Sequence, residues 1–226
     1  MHNPFYLENS AKNSIVVFIH GFMGSPQQFS RLAKNVHAQG YSVLSLLLPG
    51  HGSAVRAFSS VTMEKWQGYV NDEIDRLSPE YDGIFIVGHS MGCLLAINAA
   101  AMHNANIRGL FLIACPLKLR WFSAQFLKVR AKQVFYRKSH PMKASYLTSN
   151  SVPPSLSLIW RIVKPSAEFM KLIHLTKDNM QSVSVPVAAV FSSDDEIVSI
   201  DNLGVLKNGL NQASFESIRL SDSLHA

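Results

Sequence analysis

The sequence has few cysteines and no long hydrophobic run. Its 226 residues include two cysteines, Cys93 and Cys115, and both lie in apolar segments where a reduced thiol packs as a small hydrophobic side chain. Two cysteines do not make a disulfide framework. No apolar stretch approaches the roughly 20 residues that span a bilayer, and the start MHNPFYLENSAKN lacks the basic and then apolar pattern of a signal peptide. We therefore expect a soluble, cytoplasmic protein.

Acidic residues are missing from one long segment. No Asp or Glu occurs between Asp82 and Glu168, whereas eleven of the 21 Lys and Arg residues lie there, so the net charge of +6 comes from this segment. The concentration predicts a local basic surface rather than a generally cationic protein. No nucleic-acid motif accompanies the charge, so we expect no nucleic-acid partner. The surface is either a solvated face or a contact for an anionic membrane surface or carrier protein.

Short apolar runs of strand length recur along the chain. An apolar content of 47% in 226 residues is enough for one sizeable core. Continuous apolar runs of this length are typical of strands that are covered on both faces. The runs are SIVVFI, YSVLSLLL, GIFIV, GLFLIA and PVAAVF, and SFESIRL is a sixth candidate.

Helical patterns separate the first three of these runs. In the first pattern Ser25 is a candidate N-cap before Pro26, and the chain breaks at Gly40 after a stripe of Phe29, Leu32, Ala33 and Val36. In the second, Thr62 is a candidate N-cap before a stripe of Met63, Trp66, Val70, Ile74 and Leu77. The strand-helix-strand order predicts an α/β protein with a mainly parallel sheet of about six strands, helices on both faces and right-handed crossovers.

The alternation stops after the fourth run. Roughly sixty residues, from Pro116 to Asn179, precede the fifth run, which is too long for a plain loop. Helical spacing of Leu119, Phe122, Phe126 and Val129 indicates an inserted helical cap. We therefore predict a core of residues 1–115 and 180–226 with a cap of residues 116–179.

The pentapeptide GHSMG, residues 88–92, lies between the strand pattern GIFIV and the apolar stretch CLLAINAAAM. A serine on a sharp strand-to-helix turn projects above the carboxyl edge of the sheet, and flanking glycines relieve the crowding of such a turn. The N-terminus of the following helix also favours negative charge that develops beside the serine. The pattern predicts that Ser90 is a nucleophile.

Three motifs together resemble the α/β-hydrolase superfamily: HGF at residues 20–22, PGHG at 49–52 and GHSMG. The similarity runs through essentially the whole chain. PFYLE, HGFMGSP and the methionine after the serine most resemble bacterial carboxylesterases of the monoacylglycerol lipase type. That resemblance implies hydrolysis of carboxylic esters without a cofactor.

The resemblance also implies two donors for the oxyanion of an ester intermediate. One is the N–H of the residue after the nucleophile, Met91, and the other is the N–H of the third residue of HGF, Phe22. His20 and His51 are expected to brace loops through hydrogen bonds. The side chain of His89 is expected to point away from the reaction.

The superfamily's chain order of serine, acid and histidine implies the remaining catalytic residues. Of nine histidines, only His225 follows the acid, whereas His140 and His174 fall in the predicted cap as surface or packing residues. The acid lies in SSDDEIVS, where the family's D-x-x-V pattern favours Asp195, with Asp194 as the alternative. The remaining acids of that turn are expected to cap the following helix.

The sequence thus predicts a serine hydrolase that cleaves monoacylglycerols or short and medium acyl esters through an acyl-enzyme intermediate. No histidine and carboxylate cluster has metal-ligand spacing, so no metal is expected, and the resemblance implies no other cofactor. Two alternatives stay open. One is a thioesterase or carrier-protein esterase that docks an anionic partner on the basic cap, and the other is a non-catalytic acyl-ligand-binding protein.

Overall fold

A seven-stranded sheet forms the centre of the molecule. The computed structural model describes residues 2–10, 13–53, 55–102, 106–119, 151, 158–221, 223 and 225. The strands in chain order are β1 Phe5–Leu7, β2 Ser14–Ile19, β3 Ser42–Leu46, β4 Gly83–His89, β5 Ile107–Ile113, β6 Val187–Ser192 and β7 Phe215–Leu220. Their order across the sheet is β1-β3-β2-β4-β5-β6-β7.

The strands run parallel except at one edge. β1 pairs antiparallel with β3, and every other pair is parallel. The predicted mainly parallel α/β architecture is confirmed, and all six predicted runs form strands. The additional strand is β1, whose three residues are too few to produce a readable pattern of alternation.

Helices connect the parallel strands. They are α1 Ser30–Ala38, α2 Val55–Ser59, α3 Met63–Leu77, α4 Met91–Met102, α5 Leu158–Arg161, α6 Val163–Asn179 and α7 Asn202–Gly209, with 3₁₀ turns at Pro26–Phe29 and Met180–Ser182. None of the helices in the described ranges is long and apolar enough to cross a membrane.

Both predicted N-cap residues lie at the start of the helical segments that they were expected to cap. Ser25 caps the 3₁₀ turn that precedes α1, where its Oγ accepts the Gln27 N–H at 3.3 Å. Thr62 makes no side-chain cap to α3; instead, Glu168 Oε2 from α6 accepts the Met63 N–H at 3.1 Å. Thr62 is therefore the N-cap residue by position, as predicted, but its side chain makes no capping bond, and a carboxylate from a distant helix binds the first N–H of α3.

The sheet separates two hydrophobic clusters. Along β2, Ile15, Val17 and Ile19 face the cluster that includes residues of α3, α4 and α6, whereas Val16 and Phe18 face the cluster that includes residues of α1. The predicted stripe of α3 is buried from Trp66 to Leu77. Leu32 of α1 was expected in the buried stripe but is 37% exposed, because Ala33 of α1 and Phe29 of the preceding 3₁₀ turn fill the inward side of this segment.

Much of the predicted cap, including Phe122, Phe126 and Val129, lies outside the described residues. Leu119 forms an isolated antiparallel bridge with Val198. At the other end of this segment, α6 buries Phe169, Leu172 and Ile173 in the larger hydrophobic cluster. The division into core and cap stays a prediction.

Candidate active site

Ser90 occupies the turn between β4 and α4. Its backbone has a φ of 51°, in the left-handed region that non-glycine residues rarely adopt. The Ser90 N–H donates to the Ile113 carbonyl at 2.9 Å, and the Ser90 carbonyl accepts the Cys93 N–H at 2.9 Å. These bonds tie the strained turn to β5 on one side and to α4 on the other. The predicted strand-turn-helix context of the serine is confirmed.

The flanking glycines are required by close backbone contacts. A Cβ on Gly92 would lie 2.0 Å from the Ile19 carbonyl oxygen, and one on Gly88 would lie 2.6 Å from the Cys93 nitrogen. Both distances are far below van der Waals contact. Any other residue would therefore push α4 away from β2 or open the turn.

His225 lies between Ser90 and Asp195. Its Nε2 is 3.0 Å from Ser90 Oγ, and its Nδ1 is 2.8 Å from Asp195 Oδ2. All three residues are buried or nearly so, with side-chain exposure of 8% for His225 and 3% for Asp195. A carboxylate accepts the Nδ1–H, so Nε2 carries the lone pair that accepts the Ser90 hydroxyl proton.

The carboxylate of Asp195 is fixed by its own turn. Its Oδ1 accepts the N–H groups of Ile197 and Val198 at 2.9 and 2.7 Å. Burial acts to raise the pKa of Asp195, but the hydrogen bonds from His225 and from these two N–H groups outweigh burial and lower the pKa below its ordinary value. Asp194 is exposed, and the structure brings Asp195, not Asp194, to His225.

The HGF loop lies directly against the nucleophile. A Cβ on Gly21 would be 3.0 Å from Ser90 Cβ, so Gly21 leaves no space between this loop and Ser90. Met23 has a φ of 60°, and the Gly24 N–H donates to the Gly21 carbonyl at 2.9 Å, which closes the loop tightly around Phe22. Met91 is the first residue of α4, where an N–H has no carbonyl of a preceding helical turn to bind.

Two buried histidines connect this loop to the PGHG segment. His51 Nε2 accepts the Met23 N–H at 3.1 Å, and His20 Nε2 accepts the Leu48 N–H at 3.1 Å. Both rings are therefore neutral acceptors, since a protonated ring would present a donor to a donor. Burial lowers the pKa of His51 to about 4 and that of His20 well below its ordinary value. The expected bracing by His20 and His51 is present.

The side chain of Phe22 joins an aromatic cluster. Its ring stacks on Phe169 of α6 at a centroid distance of 5.3 Å and meets Phe58 and Trp66 edge-on at 5.2 and 6.2 Å. Aromatic contacts of this kind fix ring orientation as well as burying apolar area. The cluster therefore holds the backbone of Phe22 and surrounds the loop with apolar surface.

Two further residues at the site were not foreseen as contacts. His89 Nε2 donates to the carbonyl of His225 at 2.9 Å, and the N–H of His225 donates to Glu196 Oε2 at 3.1 Å. His89 was expected to point away from the reaction; it contacts the backbone of His225 rather than a reacting atom, but its buried ring lies beside that of His225. The expectation that Glu196 caps a helix is wrong. No local pattern marks either role, since both partners are distant in sequence.

The histidines of the predicted cap take no part in the contacts described above, and the described residues form no metal site. His174 is exposed on α6, and His140 lies outside the described residues. Within the part of the chain that the structure describes, no group of three or more His, Cys, Asp and Glu side chains is placed to hold a metal ion.

Comparison with known proteins agrees with this architecture. Residues 10–157 match the hydrolase family described as serine aminopeptidase, S33. The chain is 25% identical over 225 residues to a thermostable monoacylglycerol lipase of Bacillus sp. strain H-257, an alignment that covers 98% of this chain and 86% of the relative.

Solved structures share the same fold. A structure of the metagenome-derived lipolytic enzymes LipS and LipT superposes with a TM-score of 0.78 at 22% identity, covering 99% of this chain and 89% of that one. The monoacylglycerol lipase of Paleococcus ferrophilus superposes with a TM-score of 0.73 at 16% identity, covering 99% and 90%. With its GHSMG turn, parallel sheet and matched family pattern, the chain belongs to the serine aminopeptidase S33 family of α/β-hydrolases.

Proposed function

We propose that this protein is a serine hydrolase that cleaves carboxylic esters of uncharged acyl chains. The observation that carries the proposal is the position of His225, whose ring is within hydrogen-bond distance of both Ser90 and Asp195. A weakly nucleophilic hydroxyl needs an adjacent base, and the base needs a partner that fixes its tautomer. Ser90 supplies the hydroxyl, His225 supplies the base, and Asp195 supplies the partner that fixes the tautomer of the base.

The reaction proceeds in two halves. Ser90 Oγ attacks the ester carbonyl as its proton passes to His225 Nε2, and Asp195 stabilises the imidazolium that forms. The tetrahedral intermediate collapses to an acyl-serine, and the alcohol leaves with the proton from Nε2. Water then gives its proton to Nε2 and attacks the acyl-serine, after which the carboxylic acid departs and the proton returns to Ser90 Oγ.

Phe22 and Met91 are proposed to stabilise the oxyanion of both intermediates through their backbone N–H groups. The loop that carries Phe22 abuts Ser90 and is held by His51 and by the aromatic cluster, so its donor is oriented before substrate arrives. Preorganised donors of this kind need no reorientation as charge develops, and removal of one costs about a hundred- to a thousandfold in rate.

Monoacylglycerols and short or medium acyl esters are the proposed substrates. The relative that aligns over 98% of this chain is a monoacylglycerol lipase. Phe22 follows Gly21, which abuts Ser90, and its partly exposed ring presents apolar surface that the buried rings of Phe58, Trp66 and Phe169 support. An apolar surface with few polar groups suits an acyl chain better than a charged substrate.

The two alternatives have less support. A thioesterase that docks an anionic carrier relies on basic residues of which most lie outside the described part of the chain. A non-catalytic binding protein does not need a buried carboxylate, an imidazole and a hydroxyl that are joined by consecutive hydrogen bonds. We therefore favour ester hydrolysis over both.

The test uses Ser90→Ala with several substrates. Turnover of a monoacylglycerol and of a short synthetic ester should fall about a millionfold, the scale of removing a triad serine, while the thermal unfolding midpoint stays near that of the wild type. A fluorophosphonate probe should label the wild type and not the variant. Activity within tenfold of the wild type would contradict the assignment of Ser90.

The same experiment ranks the substrate classes. An acyl-CoA tests the thioesterase alternative, and an aminoacyl p-nitroanilide tests the peptidase activity that the family's description names. Turnover of the esters should exceed both. A wild-type protein that takes no probe and hydrolyses none of the substrates would favour the binding protein.

A further inference from the structure

We infer that His89 and Glu196 are positioning residues that clamp the backbone of His225 and thereby set the place of its imidazole. The inference rests on the proposed function, in which His225 is the general base. Every polar group of His225 has a partner: the two ring nitrogens contact Ser90 and Asp195, the N–H contacts Glu196, and the carbonyl contacts His89.

These four contacts come from two pairs of consecutive residues. His89 and Ser90 bind the carbonyl and Nε2 of His225, whereas Glu196 and Asp195 bind its N–H and Nδ1. Each pair therefore supplies one contact to the ring and one to the backbone of the same residue. Because neighbours in a chain keep a fixed separation, the backbone contacts fix where the ring lies between nucleophile and acid.

Glu196 is buried, with 4% of the residue exposed. Removing a carboxylate from water is costly unless hydrogen bonds compensate, and its Oε2 receives the N–H of His225 at 3.1 Å. The contact is thus well suited to hold a segment of chain in place.

His89 contributes the second backbone contact as a neutral ring. A carbonyl only accepts, so Nε2 carries the proton and donates to the His225 oxygen at 2.9 Å. Burial, followed by the nearby His225, lowers the pKa of His89 to about 4, so the donor keeps this form at neutral pH. The other ring nitrogen, Nδ1, is buried and has no hydrogen-bond partner within the described residues, so the contact to His225 is the one that orients the ring.

The backbone around His225 needs such contacts. The described residues that follow β7 lie in neither a helix nor a strand, so no ladder of main-chain hydrogen bonds fixes their path. A displacement of about 1 Å in a reacting group costs about a hundredfold in rate. Side-chain contacts to the backbone of His225 are therefore expected to control catalysis although neither residue touches the reacting atoms.

The test compares conservative and disruptive variants at both positions. Glu196→Gln keeps an acceptor for the His225 N–H, and His89→Gln keeps a donor for its carbonyl, whereas Glu196→Ala and His89→Leu remove these groups. Both disruptive variants should lower kcat/KM for a short soluble ester by about a hundredfold, mainly through kcat, and both glutamine variants should recover most of the loss.

A second readout does not depend on activity. In the unliganded enzyme, the His225 Nδ1–H that donates to Asp195 should give a downfield proton resonance in NMR spectra. The resonance should weaken or disappear in Glu196→Ala and His89→Leu and return in the glutamine variants. Thermal unfolding identifies a variant that fails to fold. If His89→Leu fails to fold, the comparison of Glu196→Ala with Glu196→Gln still tests the inference.

The outcomes separate this inference from the proposed function. If Glu196→Ala and His89→Leu keep wild-type kcat/KM and the downfield resonance, the clamp is wrong even when Ser90→Ala is inactive. If kcat/KM falls as far in Glu196→Gln as in Glu196→Ala, the negative charge rather than the backbone contact matters, and the inference is overturned. If Ser90→Ala stays active, the proposed function fails, whatever the NMR spectra show.

Discussion

Asp194 and Asp195 carry the same carboxylate one residue apart, yet their surroundings differ. Asp194 is exposed, whereas Asp195 is buried and binds one imidazole and two backbone N–H groups. The difference follows from the turn after β6, which directs consecutive side chains to different sides. The contacts of the two residues, and not their identical chemistry, therefore make Asp195 the candidate acid.

Asp195→Asn should lower kcat by about ten-thousandfold, because an amide neither fixes the Nδ1–H tautomer of His225 nor stabilises the imidazolium. Asp194→Asn makes the same chemical change at the neighbouring position and serves as the matched control, with an effect of a few-fold at most. Steady-state kinetics on a soluble ester measure both. The reverse ranking would move the triad acid to Asp194.

The neutral His51 predicts a dependence of stability on pH. The ordinary pKa of a histidine is 6.5, and burial lowers the pKa of His51 to about 4 in the folded protein. The unfolded chain therefore binds more protons between these two pH values, so the free energy of unfolding falls as the pH drops from about 6.5 to about 4. His51 therefore contributes about 3 kcal/mol to the free energy of unfolding above pH 6.5, and this contribution is lost as the pH falls to about 4.

Replacing the ring should remove that part of the pH dependence. His51→Gln keeps an acceptor for the Met23 N–H but does not titrate, so urea unfolding between pH 7 and pH 4 should show a smaller fall than in the wild type. His174→Gln, at an exposed position, is the control. An unchanged fall in His51→Gln would show that His51 is not the neutral buried group described here.

At the scale of the element, close packing of α4 against β2 fixes the nucleophile turn. Residues Met91 to Ala100 of α4 are all buried, so this part of the helix has no solvent-exposed face and its position is set by contacts on every side. Gly92 is where the approach is closest, at the carbonyl of Ile19. The turn at Ser90 thus depends on a glycine that takes no part in chemistry.

Two glycine substitutions should have opposite effects on stability. Gly92→Ala places a Cβ 2.0 Å from the Ile19 carbonyl oxygen, so we expect destabilisation of at least about 3 kcal/mol or failure to fold. Gly68→Ala, in the middle of α3, meets nothing within 4 Å and should stabilise the protein by about 0.5–1 kcal/mol. Chemical denaturation measures both, and a neutral Gly92→Ala would refute the close approach.

At the scale of the whole molecule, charge is distributed unevenly along the chain. The segment between Asp82 and Glu168 contains eleven Lys and Arg residues and no acid. Arg161 and Lys164 are exposed, as is Trp160 at 83%, and most of the remaining basic residues lie outside the described ranges. We keep as a proposal that this segment contacts an anionic membrane surface or carrier.

Removing charge from this segment should weaken any such contact in a salt-dependent way. We would replace Lys128, Arg130, Lys132, Arg137 and Lys138 by glutamine and measure hydrolysis of a neutral soluble ester and an acyl-CoA, together with binding to anionic vesicles. Screening lengths of about 30 Å at 0.01 M and about 8 Å at 0.15 M ionic strength predict a larger loss at low salt for the anionic partners alone. Unchanged rates and binding at every salt concentration would show that the basic segment forms only a solvated surface and contacts neither partner.

Local sequence patterns determined the strands, the two crossover helices and the nucleophile turn. Apolar runs of strand length separated by helical stripes report burial along a short stretch of chain, and Ser90 between two glycines reports a tight turn. The short β1 was missed because three residues carry too little pattern, and Leu32 was misplaced because helical spacing does not show how wide the buried face of a short helix is.

Contacts between distant residues were decided by the tertiary structure. Chain order and family resemblance pointed to His225 and favoured Asp195 over Asp194, but burial and hydrogen bonding to His225 separate the two acids in the fold. The bonds from Glu168 to α3, and from His89 and Glu196 to His225, leave no trace in local sequence. Periodicity records which side of an element is buried, whereas the partner of a buried polar group is set by how elements pack across the sheet.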